Sequence, residues 1–210
     1  MKIAGVLLAG GLSRRMGGGD KSLRVLAGAS ILERVIARAR PQVAALVLNA
    51  NGDPARFAVF GLPVVADSIP DFAGPLAGVL AGLDWATANV AGVTHVASFA
   101  TDAPFLPTDL VARLTAAVSD GKHDLACAAS NGRPHPVFGL WPLSLREDLR
   151  TALTAGIRKV DQWTARHRLA VVEFAAQSYD PFFNANTPED LREGERVSRQ
   201  ADVGRRVAPG

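Results

Sequence analysis

Three groups of residues have the types and spacing to do chemistry. The stretch LAGGLSRRMGGGDKSL, Leu8 to Leu23, holds five glycines together with Arg14, Arg15 and Lys21. Asn49, Asp67 and Asp102 each stand at or just after the end of an apolar run. His135, Asn184 and Asn186 lie farther along, beside Pro136 and Thr187. The first stretch has the makings of an anion site. Glycine loses more backbone freedom on folding than any other residue, so a loop this rich in glycine is costly to order unless something offsets it. Successive backbone N–H groups in a glycine turn form a concave anion site. Arg15 would add a planar fork and Lys21 a point charge. The plainer reading is a surface loop whose arginines are simply solvated.

Two familiar phosphate loops do not match. A Walker A loop needs glycine before its lysine and Ser or Thr after it. Here Asp20 precedes Lys21, although Ser22 follows. The dinucleotide fingerprint G-x-G-x-x-G fails because Gly17-Gly18-Gly19-Asp20-Lys21-Ser22 ends in serine.

The elements that must position these residues alternate along the chain. Lys2 to Leu8, VAALVLNAN, LPVVAD and VTHVASFA read as buried strands. SILERVIARARP reads as a helix with Ser30 as N-cap and Glu33 closing a capping box, ended by Pro41. Pro54 to Phe60 is a short helix, and a longer one starts near Pro75. Pro107 to Val118 is a further helix. HDLACAAS and HPVFGLWP are two strands about a turn at Asn131 to Arg133. Helices over Ser144–Ala155 and Lys159–Arg168, the strand LAVVEF and a terminal helix from Thr187 complete the chain. The alternation predicts an α/β fold: a single doubly wound, mostly parallel sheet with helices on both faces. One domain over residues 1–196 and a polar, flexible tail over 197–210 are expected. Ligands of such sheets bind beyond the carboxyl ends of the strands. Gly10, Asn49, Asp67 and Asp102 should therefore gather on one edge.

Composition bounds the partners. Of 210 residues, Lys and Arg number 23 and Asp and Glu 20, a net charge of +3 that suits a small anionic substrate and is too slight to argue for nucleic acid. Cys127 is the only cysteine, which excludes an internal disulfide framework and a cysteine-rich zinc site and fits a cytoplasmic setting. The opening MKIAGVLLAGG is too short to span a membrane, and it runs into the glycine loop rather than a small-residue cleavage site.

Leu8-Ala9-Gly10-Gly11, Arg15-Met16-Gly17-Gly18 and Asp20-Lys21 together resemble the signature of the molybdenum cofactor guanylyltransferases, within the wider nucleotidyltransferase family. The resemblance continues in the family's order through VLNAN (Val47–Asn51), VADS (Val65–Ser68), GPLAG (Gly74–Gly78), TDAPF (Thr101–Phe105), His135-Pro136 and NANTPED (Asn184–Asp190). It implies a Rossmann-like nucleotidyltransferase fold. It also implies transfer of GMP from GTP to the terminal phosphate of molybdopterin or Mo-molybdopterin, with release of pyrophosphate. Cofactor-biosynthesis proteins and acceptor molybdoenzymes are the further partners implied, with no membrane and no specific nucleic acid.

The resemblance also assigns roles. Leu8, Ala9, Gly10 and Gly11 would meet the nucleotide through backbone groups, with Asn49 and Asp67 near base or ribose. Lys21 and Arg15 would bind the phosphates and offset charge on departing pyrophosphate. Asp102 would hold Mg²⁺, an ion that takes one or two protein carboxylates with phosphate oxygens and water. His135, Asn184 and Asn186 would lie on the pterin side. Each also has a structural reading: Asp102 as a helix cap, Asn49 and Asp67 as strand-end turns, Asn186 as the start of the last helix, His135 as a core histidine. Cys127 reads as inert core.

Two alternatives remain open at this level. One is a cytidylyltransferase or another nucleotidyltransferase, whose loop is commonly L-A-A-G where Gly10 stands here. The other is a non-catalytic nucleotide- or nucleic-acid-binding protein, suggested by the Arg-rich end beyond Glu195. No aromatic RNA-reading platform supports the latter.

Overall fold

Short apolar runs become strands and capped amphipathic segments become helices in a computed structural model that describes residues 1–9, 21–69, 74–176 and 179–207, with 200–207 as backbone only. In chain order these are β1 (Ile3–Leu8), β2 (Val25–Leu26), β3 (Ala29–Ser30), α1 (Ile31–Ala39), β4 (Ala45–Asn49), β5 (Val64–Val65), α2 (Pro75–Asn89), β6 (His95–Ala100), α3 (Leu110–Val118), β7 (Leu125–Ser130), β8 (Arg133–Pro142), α4 (Arg146–Thr154), α5 (Val160–Thr164), β9 (Leu169–Glu173) and α6 (Pro188–Val207).

Seven strands form one sheet in the order β5-β4-β1-β6-β8-β7-β9. All neighbours pair in parallel except β8, which runs antiparallel to both β6 and β7. The chain steps outward from β1 to β4 and β5, then returns through α2 to place β6 on the other side of β1. That reversal makes the carboxyl ends of β1 and β6 a topological switch point, where such sheets open a crevice. The register levels the strand ends: Leu8 lies opposite Asn49 on one side and Ala100 on the other, and Asn49 lies opposite Val65.

Successive residues of β1 point to opposite faces, and both faces are covered. Leu7 shares a core with Ile31, Leu32 and Val35 of α1. Val6 shares a second core with Leu76, Val79, Leu80 and Leu83 of α2 and with α4 and α5. Each fully buried side chain of this size contributes about 1.5–3 kcal/mol. α2 lies close against β1 because Gly78 and Gly82 carry no Cβ: one at Gly82 would fall 2.7 Å from Val6 Cβ.

The helix signals hold at α1, where Ser30 Oγ accepts from Glu33 N–H and the Glu33 carboxylate accepts from Ser30 N–H. The short helix over Pro54–Phe60 is present as a 3₁₀ helix, and α2 begins at Pro75. Several boundaries shift. α3 starts at Leu110 rather than Pro107, α5 ends at Thr164 rather than Arg168, and α6 runs unbroken past residue 196, with Val197 and Ser198 buried. The β2–β3 hairpin carries no strong sequence signal. Its turn uses Ala27 and Gly28 at φ 46° and 83°, and alanine is an unusual choice for the left-handed position. Cys127 is buried in β7, where burial pushes its thiol up to about 11, in keeping with an inert core residue.

Candidate active site at the carboxyl ends of the strands

The switch point is closed by hydrogen bonds that leave little freedom to the backbone there. The Thr101 hydroxyl donates to Leu8 O at 3.1 Å, and Ala9 N–H donates to Asn49 O at 2.9 Å. The Ala9 N–H is thus engaged within the protein, which narrows the backbone groups Leu8 and Ala9 can offer a nucleotide. Gly10, Gly11 and Arg15, the rest of the expected phosphate loop, lie outside the described residues.

Lys21 begins a 3₁₀ turn, Lys21–Leu23, directly after that loop. Its ammonium donates to Asn186 Oδ1 at 3.2 Å. Asn186 can do this because it does not cap α6. Thr187 does: its Oγ1 accepts from Asp190 N–H at 3.1 Å, while Asp190 Oδ2 accepts from the N–H groups of Thr187 and Asn186 at 2.8 and 2.9 Å. This reciprocal cap resembles a capping box and frees the Asn186 side chain for the lysine.

Asp102 stands two residues beyond β6 in a turn. The cap of α3 falls at Asp109, so the helix-cap reading of Asp102 is set aside. Its carbonyl accepts from Ala185 N–H at 2.9 Å, which ties this turn to the segment bearing Asn184 and Asn186. Burial pushes the Asp102 carboxyl above its usual range, against the opposing pull of Lys21. The site therefore holds a carboxylate whose charge is only partly compensated. Phe105 packs on Tyr179 and Phe183 at 5.3 and 6.4 Å, joining the same two segments through their rings.

Asn49 and Asp67 meet at the neighbouring strand ends. Asn49 Nδ2 donates to Asp67 Oδ1 at 3.0 Å, and Asn51 Nδ2 donates to Asp67 Oδ2 at 2.8 Å. Asn51 Oδ1 in turn accepts from Asp67 N–H at 2.9 Å. Asn49 is buried, and its Oδ1 presses on α2 so closely that a Cβ at Gly78 would fall 2.3 Å away.

His135 is half-buried on β8, where its ring lies 4.7 Å from that of Phe182. Its Nε2 is 2.7 Å from the Ser130 hydroxyl, which donates to Asp180 Oδ1 at 2.8 Å. Burial lowers the His135 pKa more than Asp180 raises it. Asn184 is exposed, and its carbonyl accepts from Asn186 N–H at 3.1 Å. The strand ends thus gather Asn49, Asp67 and Asp102 as expected, with Lys21 and Asn186 joined to them.

Sequence reading missed three features. The packing role of Gly78, named above only within GPLAG, is one, and the Ser130–Asp180 pair is another. The third is an open groove of about 650 Å³ between the start of α2 and the start of α5, lined by Gly74, Pro75, Pro136, Val137, Arg158 and Lys159. The basic pair Arg158-Lys159, just before α5, was the available signal for the groove. Nothing in the sequence brings Ser130 to Asp180, because the contact depends on how far the chain after β9 folds back.

A sheet in this order, with a lysine, a half-buried carboxylate and clustered amides at its switch point, is that of a nucleotidyltransferase, and the family model for the MobA-like NTP transferase domain matches residues 5–170. The chain is 60% identical to the molybdenum cofactor guanylyltransferase of Nitrobacter hamburgensis, the match covering 92% of this chain and 93% of that protein. It is 59% identical to the one from Bradyrhizobium sp. (strain ORS 278), covering 95% of each. Among solved structures it is similar to molybdopterin-guanine dinucleotide biosynthesis protein A from Archaeoglobus fulgidus, with a TM-score of 0.72 at 24% identity over 95% of this chain and 100% of that one, which supports the fold. The chain belongs to the molybdenum cofactor guanylyltransferase family.

Proposed function

We propose that the chain transfers GMP from GTP to the terminal phosphate of molybdopterin or Mo-molybdopterin, forming the guanine dinucleotide and releasing pyrophosphate. The observation that carries this reading is the convergence of Lys21, Asn186 and Asp102 at the β1–β6 switch point, in a chain of this family. A phosphate monoester has a second pKa near 6, so the acceptor is largely a dianion at neutral pH and already nucleophilic. One of its oxygens forms a bond to the α-phosphorus of GTP. The bond from that phosphorus to the bridging oxygen breaks, and pyrophosphate leaves with the electron pair. No general base is required. The protein's task is to align two polyanions and offset their repulsion.

Lys21, steered by Asn186, places a fixed positive charge where negative charge collects on the leaving group. Arg15 would add a second cation from the loop. Asn49 and Asp67 hold each other rigid at the nucleotide end. The groove beside Arg158 and Lys159, whose lining also includes Asp161 and both prolines flanking His135, is the opening this reading assigns to the anionic acceptor. Asp102 fits a divalent cation, taken as Mg²⁺. Its partly compensated carboxylate is suitable for an ion that takes one or two protein ligands, and no cluster of three His, Cys, Asp or Glu competes among the described residues. Such an ion supplies charge neutralisation across the phosphates.

Gly10 favours GTP over CTP as donor. Calorimetry with each nucleotide tests this, with tighter GTP binding expected and tighter CTP binding contradicting the assignment. A cytoplasmic setting is part of this reading, taken from the cysteine usage of the sequence. Among the described residues, no helix is long and apolar enough to cross a membrane.

A further inference from the structure

The Ser130 hydroxyl is buried at the end of β7 and lies between two partners, His135 Nε2 at 2.7 Å and Asp180 Oδ1 at 2.8 Å. A hydroxyl has one hydrogen. The Asp180 carboxylate can only accept, so the Ser130 hydrogen goes to it. The imidazole must then donate from Nε2, which fixes the ring as the Nε2–H tautomer with Nδ1 as an acceptor when neutral. The same Asp180 Oδ1 accepts from Phe182 N–H at 2.9 Å, closing a turn at the start of the 180–186 segment. Phe182 is fully buried, with Phe138 and Phe174 rings at 4.8 and 5.5 Å and His135 on another side at 4.7 Å. Three residues beyond Phe182, Ala185 N–H holds the Asp102 carbonyl, and the next residue, Asn186, holds Lys21. The turn therefore sets where the 184–186 segment begins, and that segment holds the main chain at Asp102 and the ammonium of Lys21.

We propose that Ser130 is a positioning residue: its hydroxyl, shared by His135 and Asp180, clasps the 180–186 segment to the β7–β8 hairpin. The clasp thereby fixes the His135 tautomer and the placement of Asn186 against Lys21. This rests on the reading of Lys21 and Asn186 as site residues. It makes the hairpin part of the catalytic geometry.

The test compares Ser130→Ala, Asp180→Ala, Asp180→Asn and Asn186→Ala in steady-state pyrophosphate release with GTP, Mg²⁺ and molybdopterin. It is joined to ¹⁵N NMR of the His135 ring. Ser130→Ala and Asp180→Ala should lower kcat about tenfold with KM for GTP little changed, a loss expected when a catalytic group is displaced by a fraction of an ångström. Asp180→Asn keeps an acceptor oxygen for both Ser130 and Phe182 N–H and should retain kcat within about twofold. The wild-type ring should show protonated Nε2, and Ser130→Ala should shift it to a mixture of tautomers. Full kcat in Ser130→Ala beside a loss in Asn186→Ala overturns the clasp and leaves the site reading intact. Full kcat in Asn186→Ala overturns the site reading itself. A loss in Asp180→Asn equal to that in Asp180→Ala shows that charge, not the clasp geometry, matters, and overturns the proposal. If Ser130→Ala does not fold, the Asp180 pair and the wild-type ¹⁵N spectrum still decide it.

Discussion

Lys21 Nζ and Asn186 Oδ1 meet at 3.2 Å across 165 residues of chain. The lysine follows the loop proposed to bind phosphate and the asparagine precedes the last helix, so the contact joins the two ends of the fold over the switch point. Lys21→Ala should lower kcat about 10²–10³-fold, the range for removing one group that stabilises transition-state charge. Asn186→Ala should cost about tenfold. The double variant should be no worse than Lys21→Ala, because residues acting as a unit are not additive. Steady-state pyrophosphate release measures all three, and independent, multiplying losses would separate the two residues.

Asp102 couples function to stability in opposite directions. Its folded-state pKa is raised by burial, so the native protein binds this proton more readily than the unfolded chain. Stability from this group is highest below the unfolded value of 3.8 and falls as pH rises through the raised folded value. Asp102→Asn should therefore melt above the wild type at neutral pH, and the difference should vanish below that unfolded value. Its kcat should fall about 10²–10³-fold. Mg²⁺ should raise the melting temperature of the wild type but not of the variant. Calorimetric scans against pH and Mg²⁺ check each point.

Gly78→Ala tests the close approach of α2 to Asn49. Alanine would gain about 1 kcal/mol of helix propensity. Its Cβ would fall 2.3 Å from Asn49 Oδ1 and 2.7 Å from Leu8 Cδ2, and Asn49 is held in place by Asp67. Overpacking of that kind costs about 1–3 kcal/mol and should win. Urea denaturation should show net destabilisation, and GTP affinity should drop because Asn49 must move.

Acid should weaken the join between the starts of β7 and β9. Asp124 accepts from Arg168 side-chain and backbone N–H groups, chiefly the guanidinium, which pull its pKa from 3.8 down to about 2. A lowered carboxyl pKa contributes stability above the unfolded value and loses it as pH falls through the folded one. The wild type should thus lose stability between 3.8 and about 2, and Asp124→Asn should lose less over the same window. Denaturation midpoints across that range check it.

The parallel half of the sheet was legible because each buried strand is a continuous apolar run and each helix carries a start signal, Ser30 with Glu33 or Pro75. Asn49, Asp67 and Asp102 were legible because a parallel sheet sends its strand ends to one edge. What escaped were contacts made by long returns of the chain. Thr101 on Leu8, Ala185 on Asp102 and Ser130 on Asp180 join segments at least 50 residues apart, and small polar residues of this kind carry no periodicity. The continuation of α6 was hidden by polarity: from Val197 the chain is polar and Arg-rich and reads as a tail, yet the helix runs on to Val207 with Val197 and Ser198 buried.

The most direct measurement follows the label from GTP carrying ³²P at the α-phosphorus, incubated with the protein, Mg²⁺ and molybdopterin. Attack at that phosphorus delivers the label to the guanine dinucleotide, with one unlabelled pyrophosphate formed per turnover. Label retained in GDP, with orthophosphate in place of pyrophosphate, would contradict GMP transfer.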